Sequence, residues 1–428
     1  VIATPHSHST GHRALQALWG LLVGVLVFGD YLALSLSRLL TGSAGNWMLF
    51  VGLLQPCILA LALLLGTERR RLPWPTLLGY LGLCALGFAH ALPVWLAGNE
   101  LNEYASQKLG ALFLLLLPAM LVGILLGHGE RLPGTRALPW LVGPLLVMCL
   151  LALVTNPHLL TIEHFAEPPV FFGLLVMPTH QPLAFCLTKI ALLALAVDLQ
   201  AHDGRRPHLL RLGLVGALVG VVLLTGARSY ALALVLALAL MALLGGRRIG
   251  LLLVGAAIAT LLFQQFGSEL VQDRLDPTQA LESRAFRERE QAWQAAWLSF
   301  QNHPLVGVGP GRFAEAGGWH GRVYPHNLLL EVAAEFGIVG LLLLCLMFAA
   351  PVAQMVGGLL RREPPAMLGS FAAGLLLFCF IGTLAVGDLI RNHSLFFALG
   401  LAASALGRGQ PAGMAMPGLA PNLAGNPA

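Results

Sequence analysis

From Val1 onward the chain alternates apolar runs, most of them long enough to cross a ~30 Å hydrocarbon layer, with short polar breaks. This pattern predicts about twelve transmembrane helices. They fall near 14–36, 46–66, 72–97, 109–127, 138–155, 182–199, 209–225, 229–245, 249–265, 326–350, 366–386 and 392–407. The expected fold is all-α and polytopic. One polar interval, 266–325, is too long for a simple connector and is expected to be a helical, functional loop. The organisation expected is nine spans over 1–265, that loop, three further spans over 326–407, and a low-complexity tail over 408–428. The first apolar run is too long for a cleavable signal and is expected to be retained.

Composition excludes a soluble globular chain of this length: 57% of residues are hydrophobic, 11% are charged, and mean hydropathy is +0.78. A formal charge of +5 could suggest nucleic acid, but the basic residues form short clusters between apolar runs. If there are twelve spans, Arg69–Arg71, Arg131 and Arg136, Arg205 and Arg206, Arg247 and Arg248, and Arg361 and Arg362 all lie on one side. Arg13 and Arg408 join them, which places both termini in the cytoplasm by the positive-inside rule. The loops near 98–108, 156–181 and 387–391, and the long loop 266–325, then face the opposite, extracytoplasmic side. The six cysteines (Cys57, Cys84, Cys149, Cys186, Cys345, Cys379) sit inside apolar runs without CxxC spacing and read as core residues.

Three extracytoplasmic places carry candidate chemistry. At Thr225–Ser229 a tight break between two spans holds Arg228, which needs an anionic partner or a wet cavity beside hydrocarbon. In the long loop, Leu281 to Phe300 reads as an amphipathic helix. At ~100° per residue, Phe286, Arg289, Trp293, Trp297 and Phe300 share a face, while Arg284 and Arg287 fall on the far side. An arginine on an inward aromatic stripe suits an anion; the plainer alternative is a guanidinium stacked on Trp293. A glycine-rich turn, His303 to Gly311, follows and permits close backbone approach. The third place is Tyr324-Pro325-His326-Asn327, leading into a long apolar helix. His326 is expected in its first turn, where the helix dipole disfavours imidazolium and leaves a ring able to accept a proton. Glu331 and Glu335 fall on another face and are expected to bond a neighbouring helix.

Lys189, deep in a span, is expected to have a buried partner, and Asp388, Arg391 and His393 form a secondary group between the last two spans. His6, His8 and His12 read as a solvated tail. No metal site is expected: extracytoplasmic loops lack a DxD motif, and Asp273-Arg274-Leu275-Asp276 is a poor substitute.

The succession TGARS, Arg289 to Trp293 as RxxxW, HPLVGVGPGRF, and HNLLLEVAAEFGIVGLL resembles the O-antigen ligase and polymerase superfamily from about Thr225 to Leu344. Ala227 stands where that family often has serine. The resemblance implies a GT-C type glycosyltransferase of the bacterial inner membrane with a periplasmic active site. It further implies a donor glycan linked to undecaprenyl diphosphate, with lipid A-core as acceptor. The family's functional residues carry over to Arg228 and Arg289, on the diphosphate, and to His326, as base. Guanidinium groups bind diphosphate oxygens in pairs and stabilise the charge that develops on the leaving group. The expected reaction is inverting, metal-independent and free of added cofactor. Ligation is favoured over polymerisation because the 156–181 loop is short and lacks arginine. It is favoured over protein O-glycosylation because the chain after the last span is short. A flippase, the reading from another class, would place ionisable residues on several spans near the midplane.

Overall fold

The computed structural model describes residues 72–128, 170–171, 174–175, 180–201, 215–216, 218–220, 222, 227–245, 284–319, 324–361, 367–385, 388–390 and 392–406. In chain order the elements are α1 (Trp74–Leu96), α2 (Glu103–Gly127), β1 (Val170–Phe171), β2 (Leu174–Leu175), α3 (His180–Ala201) and α4 (Arg228–Gly245). These are followed by α5 (Arg284–Asn302), α6 (Phe313–Ala316), α7 (Leu328–Arg361), α8 (Met367–Ala385) and α9 (His393–Ala405). Helix dominates, as the apolar pattern predicts. The exception is the two-residue strands, which pair antiparallel through Val170 with Leu175 and Phe171 with Leu174.

The protein is a multi-pass membrane protein. Among the described residues, four helices are long and apolar enough to cross a bilayer: Trp74–Leu96, Glu103–Gly127, Leu328–Leu360 and Leu368–Ala385. Shorter apolar helices run over Ala184–Ala196, Ser229–Met241 and His393–Ala405. The spans expected at 14–36, 46–66, 138–155 and 249–265 lie outside the described residues, and 209–225 is described only in part, as helix. Two exposed tryptophans, Trp74 and Trp95, mark the ends of α1. At ~1.5 Å per residue they stand about 32 Å apart, which suits an aromatic side chain at each edge of the hydrocarbon layer.

Helices meet where small residues let backbones approach, the packing that membranes favour. A Cβ on Gly123 would fall 2.1 Å from the Phe397 carbonyl oxygen, and one on Gly400 equally close to that of Met120, so α2 and α9 are in backbone contact. The contact of α1 with α7 is similar: Gly79 faces the Leu343 carbonyl. It also resolves a problem inside α7. Pro351 has no N–H to give the Met347 carbonyl one turn earlier; the Thr76 hydroxyl donates to that carbonyl instead, at 3.0 Å. The helix therefore runs past the expected end at 350 to Arg361.

Near its other end α7 is broken. Gly337 has φ 63° and ψ −160° within the helical run, a backbone region essentially reserved for glycine. The preceding carbonyls and following amides lose their helical partners, and a chain segment from the long loop replaces them. Val308 N donates to Ala334 O (3.1 Å) and Gly309 N to Glu335 O (2.9 Å). Ile338 N donates to Pro304 O (2.8 Å) and Val339 N to Leu305 O (3.1 Å). The glycine-rich turn thus acts as a splint across the break. Its own glycine is required too: a Cβ on Gly307 would lie 2.2 Å from the Glu335 carbonyl carbon.

Candidate functional site

The break makes residues 328–336 a separate half-helix, with His326 just ahead of its start and Glu331 and Glu335 on its side. Asn327 caps its start, with Oδ1 accepting from Leu329 N (3.0 Å) and Leu330 N (3.2 Å). His326 therefore precedes the cap instead of occupying the first turn, which corrects the expectation from the sequence. Its backbone is left-handed, φ 57°, the one non-glycine residue so placed among the described residues. The reason is local: with the cap position taken by Asn327, the chain must turn sharply to enter the helix, and histidine tolerates this region better than most residues. Ahead of the cap, His326 is not held in the first turn on which the expected neutral ring depended. The ring is buried and meets Tyr324 edge to face, centroids 4.4 Å apart.

Helix α5 occupies the position predicted for an amphipathic helix at 281–300 and packs against α7. Its buried seam is Ala292, Ala295, Ala296 and Ser299. The expected stripe lies beside this seam: Phe286, Arg289, Trp293 and Phe300 are half-buried, whereas Trp297 is exposed. Small side chains win the closest approach because they let the helices touch, and the aromatic residues flank them. Arg287 is exposed, as predicted. Trp293 links α5 to the histidine: its indole N–H donates to the Pro325 carbonyl at 2.9 Å. Arg289 stands one turn earlier on the same helix. Arg228 begins α4, with Tyr230 N and Ala231 N both donating to Ala227 O, so the predicted break is a helix start. The side chain of Arg228 lies outside the described residues, as does all of Arg391.

The side of the half-helix carries a buried ionic junction. Glu331 and Glu335 share one face, and Lys108 of α2 reaches both. Its ammonium is 2.5 Å from Glu331 Oε1 and 2.7 Å from each oxygen of Glu335, with all three side chains fully buried. Glu331 also accepts the Leu389 N–H, at 3.0 Å to Oε2. The expectation that these carboxylates bond a neighbouring helix holds. Asp388, next to Leu389, is buried; its Oδ2 accepts from the Tyr104 hydroxyl at 3.5 Å, and its carbonyl accepts from Asn392 Nδ2. Of the secondary candidates, Asp388 thus belongs to this junction. Lys189 sits elsewhere in the bundle. It is fully buried, donates to Ser394 Oγ at 3.2 Å and lies 4.2 Å from the Phe185 ring centroid.

Sequence reasoning missed Lys108 because the span was started at 109, which left the lysine in a loop. Asn102 in fact caps α2, accepting from Ala105 N at 2.7 Å, so the helix begins at Glu103. A signal was available: the chain has only two lysines, at 108 and 189, while arginine fills every other lysine-or-arginine position. A second feature was also hidden. Beside the splint a cavity of about 370 Å³ is lined by His303, Gly307, Val308, Arg312, Glu315 and Ala316. Glu315 is tied to α2 by Asn102 Nδ2, at 3.0 Å.

What the arrangement offers is a buried imidazole just ahead of a capped half-helix, next to a residue that the arginine-bearing α5 holds by a hydrogen bond. A model of the family described as O-antigen ligase matches residues 213–345, from before Arg228 into the second half of α7. No curated protein matches the chain significantly.

Proposed function

From the match of residues 213–345 to the O-antigen ligase family model, in a multi-pass membrane protein, we propose that the chain transfers a glycan from undecaprenyl diphosphate to a lipid A-core acceptor. Arg228 and Arg289 bind the diphosphate, and His326 takes the proton from the acceptor hydroxyl as the glycosidic bond to the diphosphate breaks. Transfer is a single displacement with inversion. A guanidinium pairs with phosphate oxygens at fixed geometry, and its contribution grows as negative charge develops on the leaving group. The reaction takes place at the periplasmic face of the inner membrane.

The observation that carries this reading is the Trp293 to Pro325 hydrogen bond. It ties the helix of Arg289 to the residue next to His326, although the two lie far apart in sequence. An oriented base and an anion-binding arginine on adjoining elements suit group transfer. A flippase would have no use for the pairing.

The test is reconstitution in vesicles with an undecaprenyl-diphosphate-linked glycan, with and without lipid A-core, in the presence of a chelator. Conversion of lipid A-core to a heavier species on a gel is the expected result. A donor glycan that lengthens while the acceptor stays unchanged identifies a polymerase. An unchanged donor and acceptor, with folded protein, overturns the glycosyltransferase reading.

A further inference from the structure

The half-helix that follows His326 is short and cut from the rest of α7 at Gly337, so continuity with the bundle does not orient it. Its ends are held by hydrogen bonds to backbone groups: the splint at one, and Trp293 with the Asn327 cap at the other. Its sides are buried: Leu328, Val332 and Phe336 pack into the main core, while Lys108 meets Glu331 and Glu335 and Glu331 holds the Leu389 amide. Apolar burial is non-directional, so the ionic contacts are the ones that select a single rotation about the helix axis.

The stoichiometry of the contact is telling. An ammonium has three N–H donors, and three carboxylate oxygens lie within 2.7 Å of Lys108 Nζ. Its donors are therefore fully used between one turn of the half-helix and the next. Arginine could not take this place: its planar fork spreads its donors, whereas these oxygens converge on one point. A buried ionic cluster is a weak source of stability, because desolvation offsets most of the attraction, but it can specify one arrangement.

We propose that Lys108 is a positioning residue for the transfer reaction: with Glu331 and Glu335 it fixes the rotation of the half-helix, and thereby the placement of His326 against the diphosphate-binding arginines. The inference rests on the transferase reading given above.

The test compares the parent with Lys108→Arg and with a triple variant, Lys108→Met with Glu331→Gln and Glu335→Met. The triple variant removes the three charges of the contact together and keeps an acceptor for Leu389. Each is measured for melting temperature, for kcat and donor KM, and for hydrogen exchange of residues 326–336. The expected triple variant melts with the parent, keeps its donor KM, and loses about a hundredfold in kcat, the scale of a misplacement of roughly 1 Å. Exchange of 326–336 rises. Parental kcat in a folded triple variant overturns the proposal. Should the triple variant fail to fold, Lys108→Arg decides: a tenfold or greater loss of kcat at unchanged melting temperature supports it, and parental kcat overturns it. If the parent itself transfers nothing, the transferase reading fails, and the exchange arm still decides the mechanical part. Unchanged protection of 326–336 in both variants then overturns the claim that Lys108 holds the half-helix.

Discussion

Replacing Gly337 by alanine tests whether the broken helix is built as described. At φ 63° and ψ −160° an L-residue is strained by about 1–3 kcal/mol. The new methyl would also lie 2.4 Å from both the carbon and the oxygen of the Leu305 carbonyl and 2.6 Å from Val306 N. Ordinary contact needs about 3.5 Å, so the splint must retreat by roughly 1 Å. Moving it stretches the bonds from Ile338 N and Val339 N, and losing two such bonds costs about 2 kcal/mol. The expected total is about 3–5 kcal/mol. Gly357→Ala in the same helix is the control: nothing lies within 4 Å of its added methyl, and alanine gains up to ~1 kcal/mol in a helix. Thermal or denaturant unfolding of the purified protein in detergent reads both variants, with turnover measured alongside. A Gly337→Ala protein that unfolds and turns over like the parent would refute the account of the break.

The remaining predictions follow the contacts around the half-helix. Asn327→Ala should lose about 1 kcal/mol of stability through the missing cap, and Asn327→Ser should recover most of it, read by the same unfolding measurement. Trp293→Phe keeps the ring but cannot donate to Pro325; a stability loss of about 1 kcal/mol and a fall in kcat larger than any change in donor KM are expected from steady-state kinetics. His90 Nε2 lies 2.8 Å from the Val306 carbonyl, which can only accept, so that nitrogen carries the proton. His90→Phe should therefore destabilise by about 1 kcal/mol in denaturant unfolding, whereas His90→Gln should be milder.

Much of this architecture was legible in the residue pattern because membrane helices announce themselves by length and apolarity. The helices at 180–201, 228–245 and 367–385 fall within a few residues of the expected spans, and the amphipathic helix of the long loop is where its period put it. What hydropathy does not reveal is interruption. Gly337 lies inside a span expected to run without a break over 326–350, and only the geometry of its partner segment shows that the helix stops and restarts there. The cap displaced His326 for a related reason: a helix start is set by which side chain satisfies the first amides, and Asn327 does this better than histidine. The TGARS, RxxxW and His-Asn motifs were visible at once, yet Lys108, which meets Glu331 and Glu335, carries no motif. Its role exists only across the contact of α2 with α7, which no local pattern encodes. Even so, two glutamates one turn apart in an apolar helix demand a buried cation, and Lys108 is one of only two lysines in the chain.

The central claim is that His326 is the base of a glycosyl transfer, and the most direct test is the transfer rate of His326→Gly against the parent in reconstituted vesicles with excess chelator. Glycine accepts the left-handed backbone at 326 without strain, so the structural cost is confined to the buried ring and its contact with Tyr324. The expected protein folds, melts somewhat below the parent, and transfers more slowly by about a hundredfold or more, the usual contribution of a positioned base. A folded His326→Gly protein that transfers within about threefold of the parent, below the least a positioned base contributes, would contradict that claim.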